Sequence, residues 1–199
     1  SVFIFADVSG SIQGEQKIPL SKRPRLKDNE WSDYCNKISE IAKRLSDIGL
    51  PMSYHEHMGT IIQSEQDIYR LLDNTDDKTS LLFDTGHIFF AKGDYESILK
   101  KYISRVNHVH CKDIRKEILN KSLSNDLSFR DSFLEGVFTV PGDGYINYKP
   151  LFETLYDNKY SKWLIVEAEQ DPKKANPLKY AKIGYKYLNR ILTEVGYKI

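Results

Sequence analysis

Hydrophobic and polar positions along the chain alternate between strand-like and helix-like periods. Ser1 to Val8 is mostly apolar, with β-branched and aromatic residues, and predicts a strand buried on both faces, as parallel sheets require. It stops at Ser9-Gly10-Ser11. Ile12 to Asn29 has no sustained period and carries Lys17, Lys22, Arg23, Arg25 and Lys27, so a long loop is expected, either a solvated basic surface or a cover over a substrate. From Trp31 the spacing of Tyr34, Ile38, Ile41, Ala42, Leu45 and Ile48 predicts an amphipathic helix, which Gly49 stops. Pro51 to His57 predicts a strand, Ser64 caps a short helix carrying Ile68, Leu71 and Leu72, and Ser80 to Asp84 predicts a strand. Asp94 caps a helix with Ile98, Leu99, Tyr102 and Ile103 on one side, which leads into a strand from Val106 to His110. Ile114 to Phe138 reads as an interrupted helix, Pro141-Gly142-Asp143-Gly144 as a turn, and Asn147 as the cap of a helix containing Leu151, Leu155 and Tyr156. Trp163 to Ala168 predicts the last strand. About Pro177 to Leu192 predicts the last helix, with Tyr180, Ile183, Gly184, Tyr187 and Leu188 on its inner stripe.

Strand and helix thus alternate five times without hairpin signals, which predicts parallel strands joined by right-handed crossovers. An open doubly wound sheet is the competing architecture, but Val8-Ser9-Gly10-Ser11-Ile12-Gln13-Gly14 has the wrong glycine spacing for a phosphate loop. The expected fold class is α/β, a (β/α)₈ TIM barrel, with residues 1–199 forming a single partial domain. A closed barrel needs eight strands and typically about 250 residues. The chain opens on Ser1-Val2-Phe3-Ile4-Phe5, inside a strand, so an upstream portion supplying roughly the first three β/α units is expected. The exposed apolar edges would favour self-association, and a homo-oligomer is one expected assembly.

Composition narrows the functional classes. Lysine plus arginine (29) nearly balances aspartate plus glutamate (28), leaving a formal charge of +1 and no field to hold a polyanion, so nucleic acid is not an expected partner. Cys35 and Cys111 match no zinc spacing and no disulfide framework, which points to a reducing cytoplasm. No apolar run approaches the roughly 18 residues a membrane span needs, and a membrane partner is not expected.

The chemistry gathers at strand ends. All five histidines, His55, His57, His87, His108 and His110, lie where predicted strands stop, and the last strand ends in Glu167 and Glu169. In parallel α/β architectures, sites form beyond the carboxyl ends of the strands. Buried imidazoles and carboxylates are costly without partners, so several converging in one cavity should share a divalent cation. One ligand per strand gives His55, Asp84, His110 and Glu167. Their nitrogen and oxygen donors suit manganese, cobalt, iron or zinc better than calcium. Alternation turns Glu56 and Cys111 away from their neighbours His55 and His110, while His108 and Glu169 share faces with the ligands and are placed to orient them.

Asp84-Thr85-Gly86-His87, His110-Cys111-Lys112-Asp113 and Val166-Glu167 resemble the motifs of the xylose-isomerase-like barrel superfamily. Five stretches, Val8 to Ile12, Pro19 to Pro24, Tyr54 to Thr60, Val137 to Gly144 and Val166 to Pro172, resemble more closely its inosose dehydratase family. Many superfamily members place a glutamate ligand where this chain has His55 followed by Glu56, which leaves the first ligand open between the two. The resemblance implies a lyase that dehydrates 2-keto-myo-inositol (inosose), a small polyol ketone, to a trihydroxycyclohexane-1,2-dione. It also implies manganese or cobalt, and glutathione in some members. A cation at the four donors would polarise the ketone. Glu56, His87 and Lys112 are the candidate proton carriers, with the Lys112 pKa expected to fall beside a metal. Lys22, Arg23 and His57 are candidates for binding substrate hydroxyls. The alternatives are a metal-dependent ketose isomerase or epimerase, a DNA-repair endonuclease of the related family, and a carbohydrate-binding relic.

Overall fold

The structure is a computed structural model that describes residues 1–198. In chain order its elements are β1 (Phe3–Phe5), α1 (Trp31–Asp47), β2 (Met52–His55), α2 (Glu65–Asp73), β3 (Ser80–Asp84), α3 (Thr85–Phe90), α4 (Tyr95–Tyr102), β4 (Val106–Cys111), β5 (Asp113–Ile114), α5 (Lys116–Ser124), α6 (Phe129–Glu135), β6 (Phe138–Thr139), α7 (Tyr148–Asp157), β7 (Leu164–Val166) and α8 (Pro177–Val195). Five strands form one parallel sheet in the order β1-β2-β3-β4-β7, the expected barrel-type arrangement of successive parallel strands.

The helices start where local chemistry supplies partners for their first amides. The Ser64 hydroxyl accepts from Asp67 N while the Asp67 carboxylate accepts from Ser64 N, a reciprocal cap on α2. Asp94 and Asn147 cap α4 and α7 as the sequence predicts. Two elements differ from expectation. In α1 the buried side is Trp31, Cys35, Ile38 and Ala42, so the stripe is rotated and Ile41 and Ile48 face out. The first strand, expected over Ser1 to Val8 with both faces buried, is confined to Phe3–Phe5 and leaves Phe3 and Ile4 exposed, because it lies at the sheet's edge and pairs only with β2.

A further difference lies between residues 113 and 139. The interrupted helix of the sequence reading is two helices, α5 and α6, bracketed by a short antiparallel ladder that pairs Asp113 with Thr139 and Ile114 with Phe138. This small ribbon departs from the purely parallel expectation.

Strand alternation divides the central strands between two environments. Met52 and Tyr54, Leu81 and Phe83, and Val109 and Cys111 join the apolar core with residues of α1, α2, α4, α7 and α8. Their alternates, His55, Asp84, His108 and His110, therefore share the opposite face of the sheet. Cys111 is in the core, on the side expected of it.

Candidate metal centre

The register of β3 against β4 sets Asp84 directly beside His110, and His55 closes β2 next to them. One ligand atom from each of His55, Asp84 and His110 lies within 4.8 Å of the others. His110 Nδ1 is 3.5 Å from Asp84 Oδ2 and 2.7 Å from Glu167 Oε2, which brings the fourth expected donor to the same place. The Asp84 carboxylate is held by its other oxygen: Oδ1 accepts from Gly86 N and His87 N, both at 2.9 Å, and so caps α3. Thr85 starts this helix with no linker after the strand, so His87 sits in a helical first turn and not on a strand end.

Several buried donor atoms here have no hydrogen bond: His55 Nδ1, Asp84 Oδ2, His110 Nδ1, Glu167 Oε2 and Glu56 Oε2. Buried polar atoms are normally satisfied, so such a concentration calls for a missing partner. Imidazole nitrogens and carboxylate oxygens converging in this way fit a divalent transition-metal ion.

Electrostatics follow from the same contacts. Burial works against the His110 imidazolium, but Asp84 and Glu167 outweigh it and push its pKa up to about 9. Burial would raise the Asp84 pKa, yet Lys112, His110 and the α3 amides hold it well below the usual carboxylate range. Glu56 is the reverse case. It is fully buried with its Oε1 accepting from Asp84 N at 3.2 Å, and burial together with the neighbouring Asp84 raises its pKa. Expected to point away from His55, Glu56 instead brings Oε2 to 3.9 Å from His55 Nδ1, because β2 ends at His55 and alternation no longer governs the next residue.

Lys112 is the largest surprise of the site. Its side chain is fully buried, and its partners are Asp84, Glu167, Glu169 and His87. Burial lowers its pKa, but the carboxylates of Asp84, Glu169 and Glu167 more than reverse that, so the shift set by the protein's own groups is upward. Asp113, its neighbour in sequence, turns elsewhere: its carboxylate accepts from Ile114 N, Gly142 N and Ile146 N.

His87 is buried, with Nε2 2.9 Å from Lys112 Nζ and Nδ1 facing Met58 N at 3.5 Å. Burial, and then the neighbouring His57 and Lys112, keep it neutral by lowering its pKa. His57 Nδ1 lies 2.8 Å from Met58 O and must donate to that carbonyl, which leaves Nε2 as its acceptor, 4.0 Å from Glu169 Oε1. Burial lowers its pKa as well. His57 and Glu169 line a cavity of about 250 Å³ with Gln13, Gly14, Phe129, Arg130 and Phe133. His108 packs against His110 with ring centroids 5.4 Å apart, one step down the same face.

The expected substrate donors of the basic loop are not brought to this cluster. Arg23 is buried, its guanidinium bound to Asp67 at 2.6 Å and to the carbonyls of Thr60 and Ile61, so it pins the loop after β1 to the loop after β2. Lys22 is exposed and has no hydrogen bond or ion pair to the cluster among the described residues.

Two contributors escaped the sequence reading. Thr85 Oγ1 donates to Lys112 O at 2.7 Å, accepts from Lys112 N at 3.1 Å and meets Tyr148 Oη at 3.0 Å, which locks the end of β3 to the chain leaving β4. Phe129, from the poorly patterned segment, lies against both His57 and His87, at 5.1 and 5.8 Å between centroids. Only Thr85 had a local signal, its place in the Asp-Thr-Gly-His motif.

Parallel strands carrying a convergent set of metal-type donors at their carboxyl ends define a barrel-type α/β protein with a candidate metal centre. Residues 9–191 match the model of the xylose isomerase-like TIM barrel, and the chain belongs to this family. Among curated proteins it is similar to the rhizopine catabolism protein MocC of Rhizobium meliloti, 41% identical over 98% of this chain and 60% of the relative. It is also similar to the inosose dehydratase of Bacillus velezensis, 41% identical over 97% of this chain and 65% of the relative. The chain thus spans less than two thirds of the length of these relatives. Among solved structures, one described as IOLI protein with a binding zinc atom shares the fold, with a TM-score of 0.64 at 15% identity over 92% of this chain and 61% of that one.

Proposed function

We propose that this chain carries the metal centre of a hydro-lyase that removes water from 2-keto-myo-inositol to give a trihydroxycyclohexane-1,2-dione in inositol catabolism. The observation that carries the reading is the set of converging buried donor atoms without a hydrogen bond on His55, Asp84, His110 and Glu167. Likeness to inosose dehydratases supplies the substrate. Manganese or cobalt is the expected ion, and those four residues would hold it. A divalent cation there supplies Lewis-acid polarisation of a carbonyl and stabilises the negative charge that develops as a neighbouring C–H is lost.

The remaining roles fall to the chain's own side chains. Of the proton carriers expected from sequence, Glu56, His87 and Lys112, none lines the cavity, whereas His57 does. His57 Nε2 is therefore the proposed proton acceptor, neutral at pH 7 and held in orientation by its Nδ1 bond to Met58 O. Glu169 Oε1 at 4.0 Å stabilises the imidazolium that forms. In the same proposal that imidazolium returns its proton to the departing hydroxyl, which leaves as water. Lys112 fixes Glu169 through a 2.9 Å bond to Oε2, and Glu56 and His87 brace Asp84 and Lys112 from behind. Phe129 offers an apolar face to the C–H side of a polyol ring. A cytoplasmic enzyme is part of the same proposal, supported by two buried, unpaired cysteines.

The deciding experiment is an assay of metal-loaded protein on inosose and, in parallel, on ketoses. Water loss from inosose with a stoichiometric divalent ion supports the reading. Isomerisation of a ketose without any dehydration of inosose refutes it. Adding glutathione to the same assay tests the cofactor that the family resemblance implies.

A further inference from the structure

We infer that the Lys112 ammonium fills the seat of a second divalent cation, so that the centre takes one metal ion and not two. The inference rests on the metal reading above and adds to it the number of ions and the device that sets it.

Lys112 Nζ has the surroundings of a metal ion. It lies 2.9 Å from His87 Nε2, 2.9 Å from Glu169 Oε2, 3.1 Å from Glu167 Oε2 and 3.2 Å from Asp84 Oδ2. One imidazole nitrogen and three carboxylate oxygens are a donor set that manganese or zinc accepts readily. An ammonium has only three protons for these four acceptors. It hydrogen-bonds His87 Nε2 and Glu169 Oε2, while Asp84 Oδ2 and Glu167 Oε2 touch it without hydrogen-bonding geometry.

Those same two oxygens also lie 3.5 and 2.7 Å from His110 Nδ1. The carboxylate oxygens proposed as ligands of the metal are therefore the ones that Lys112 touches, and in two-metal sites carboxylates of this kind serve both ions. A second donor group points the same way: ligand atoms of His55, His57 and His87 lie within 4.8 Å of one another, and His87 is the member that Lys112 engages. Charge agrees with the count. The three carboxylates in contact with Nζ are neutralised by one ammonium and one divalent cation, so a second dication beside the ammonium would be uncompensated.

The fold makes room for this arrangement. A β-carbon at Gly86 would lie 2.7 Å from Lys112 Cγ and 2.9 Å from its Cβ and Cδ, so only glycine lets the lysine stem lie flat across the first turn of α3. Thr85 holds the Lys112 backbone at both its amide and its carbonyl, which fixes where the stem departs. The Phe138 ring, 5.0 Å from Nζ, closes the seat on its apolar side.

The test is a manganese titration of metal-free wild-type protein and of Lys112→Met, with bound metal counted by equilibrium dialysis and the spin state read by electron paramagnetic resonance. One equivalent in wild type and two in Lys112→Met, with the signal of a spin-coupled pair in the variant, is the expected result. One equivalent in both proteins, or two in wild type, overturns the inference and leaves the metal reading standing. No bound metal in either overturns both. Should Lys112→Met not fold, Lys112→Ala refolded with methylammonium replaces it. Methylammonium should hold that variant to one equivalent and its removal should admit the second; a count indifferent to methylammonium overturns the inference.

Discussion

At β3 and β4 the face turned away from the core carries Asp84, His108 and His110, with the buried Lys112 just beyond. At the edges the uncovered side chains are apolar, Ile4 in β1 at 46% exposure and Trp163 beside β7 at 67%. The contrast shows where this chain concentrates its specificity. Central strands are shielded by neighbours on both sides, so charges there interact in a low dielectric, strongly when paired and at high cost when not. At an edge, each exposed apolar residue costs little by itself and fixes no geometry.

The comparison breaks most readily at Asp84. Asp84→Ala should abolish metal binding and lower the proposed inosose dehydration by roughly 10³-fold, the scale of losing a principal charge-stabilising group. It should also destabilise α3, whose amides it caps. Asp84→Asn keeps an oxygen for that cap, so its melting temperature should fall less while metal is still lost; retention of metal in either variant would remove Asp84 from the ligand set.

Next in size is Thr85→Val, which strands the Lys112 backbone and the Tyr148 hydroxyl in a buried site. A loss of about 1–3 kcal/mol is expected, read as a melting temperature lower by roughly 2–4 °C per kcal/mol. An unchanged melting curve would show that these bonds are replaceable.

A smaller, pH-dependent effect belongs to His110 in the metal-free protein. Its folded-state pKa of about 9 lies above the ordinary 6.5, so its contribution is complete below about pH 6.5 and is lost as pH rises through about 9. Asp84 contributes oppositely: its pKa is held low, so its share is lost only as pH falls below the usual carboxylate range. Melting temperatures of metal-free protein should therefore decline between pH 6.5 and 9.5, and this decline should vanish in His110→Gln. The smallest effect is expected at the edge, where Ile4→Thr should change stability by no more than about 0.5 kcal/mol. A drop of several degrees in a thermal melt would mean that β1 is covered in solution, and the contrast between centre and edge would have to be redrawn.

Much of the frame is legible in the sequence because it depends on local signals. Ser64, Asp94 and Asn147 each bond an amide two or three residues ahead, and the alternation that sends His55, Asp84 and His110 to one face needs only neighbouring residues. What escaped depends on distant partners. Arg23 meets an Asp67 that is 44 positions on, and Lys112 meets Glu169 across 57. Neither pairing leaves a mark in either segment. The start of α3 was hidden for a different reason: Thr85-Gly86-His87-Ile88-Phe89-Phe90 is apolar nearly all round and has no linker before it, so its period is unreadable. The ladder of β5 and β6 is two residues long on each side, too short for alternation to register.

The Asp113 carboxylate gathers the amides of Ile114, Gly142 and Ile146, and so ties off the excursion from residue 114 to 146 at its base. An excursion sealed at one knot is modular, since its length can vary at the modest entropic expense of a longer closed loop while its two stems stay put. Phe129 rides on that module, whereas the proposed metal donors His55, Asp84, His110 and Glu167 all lie outside it. Exchange of the module is thus a route by which this scaffold can change what it admits without rebuilding the chemistry it performs.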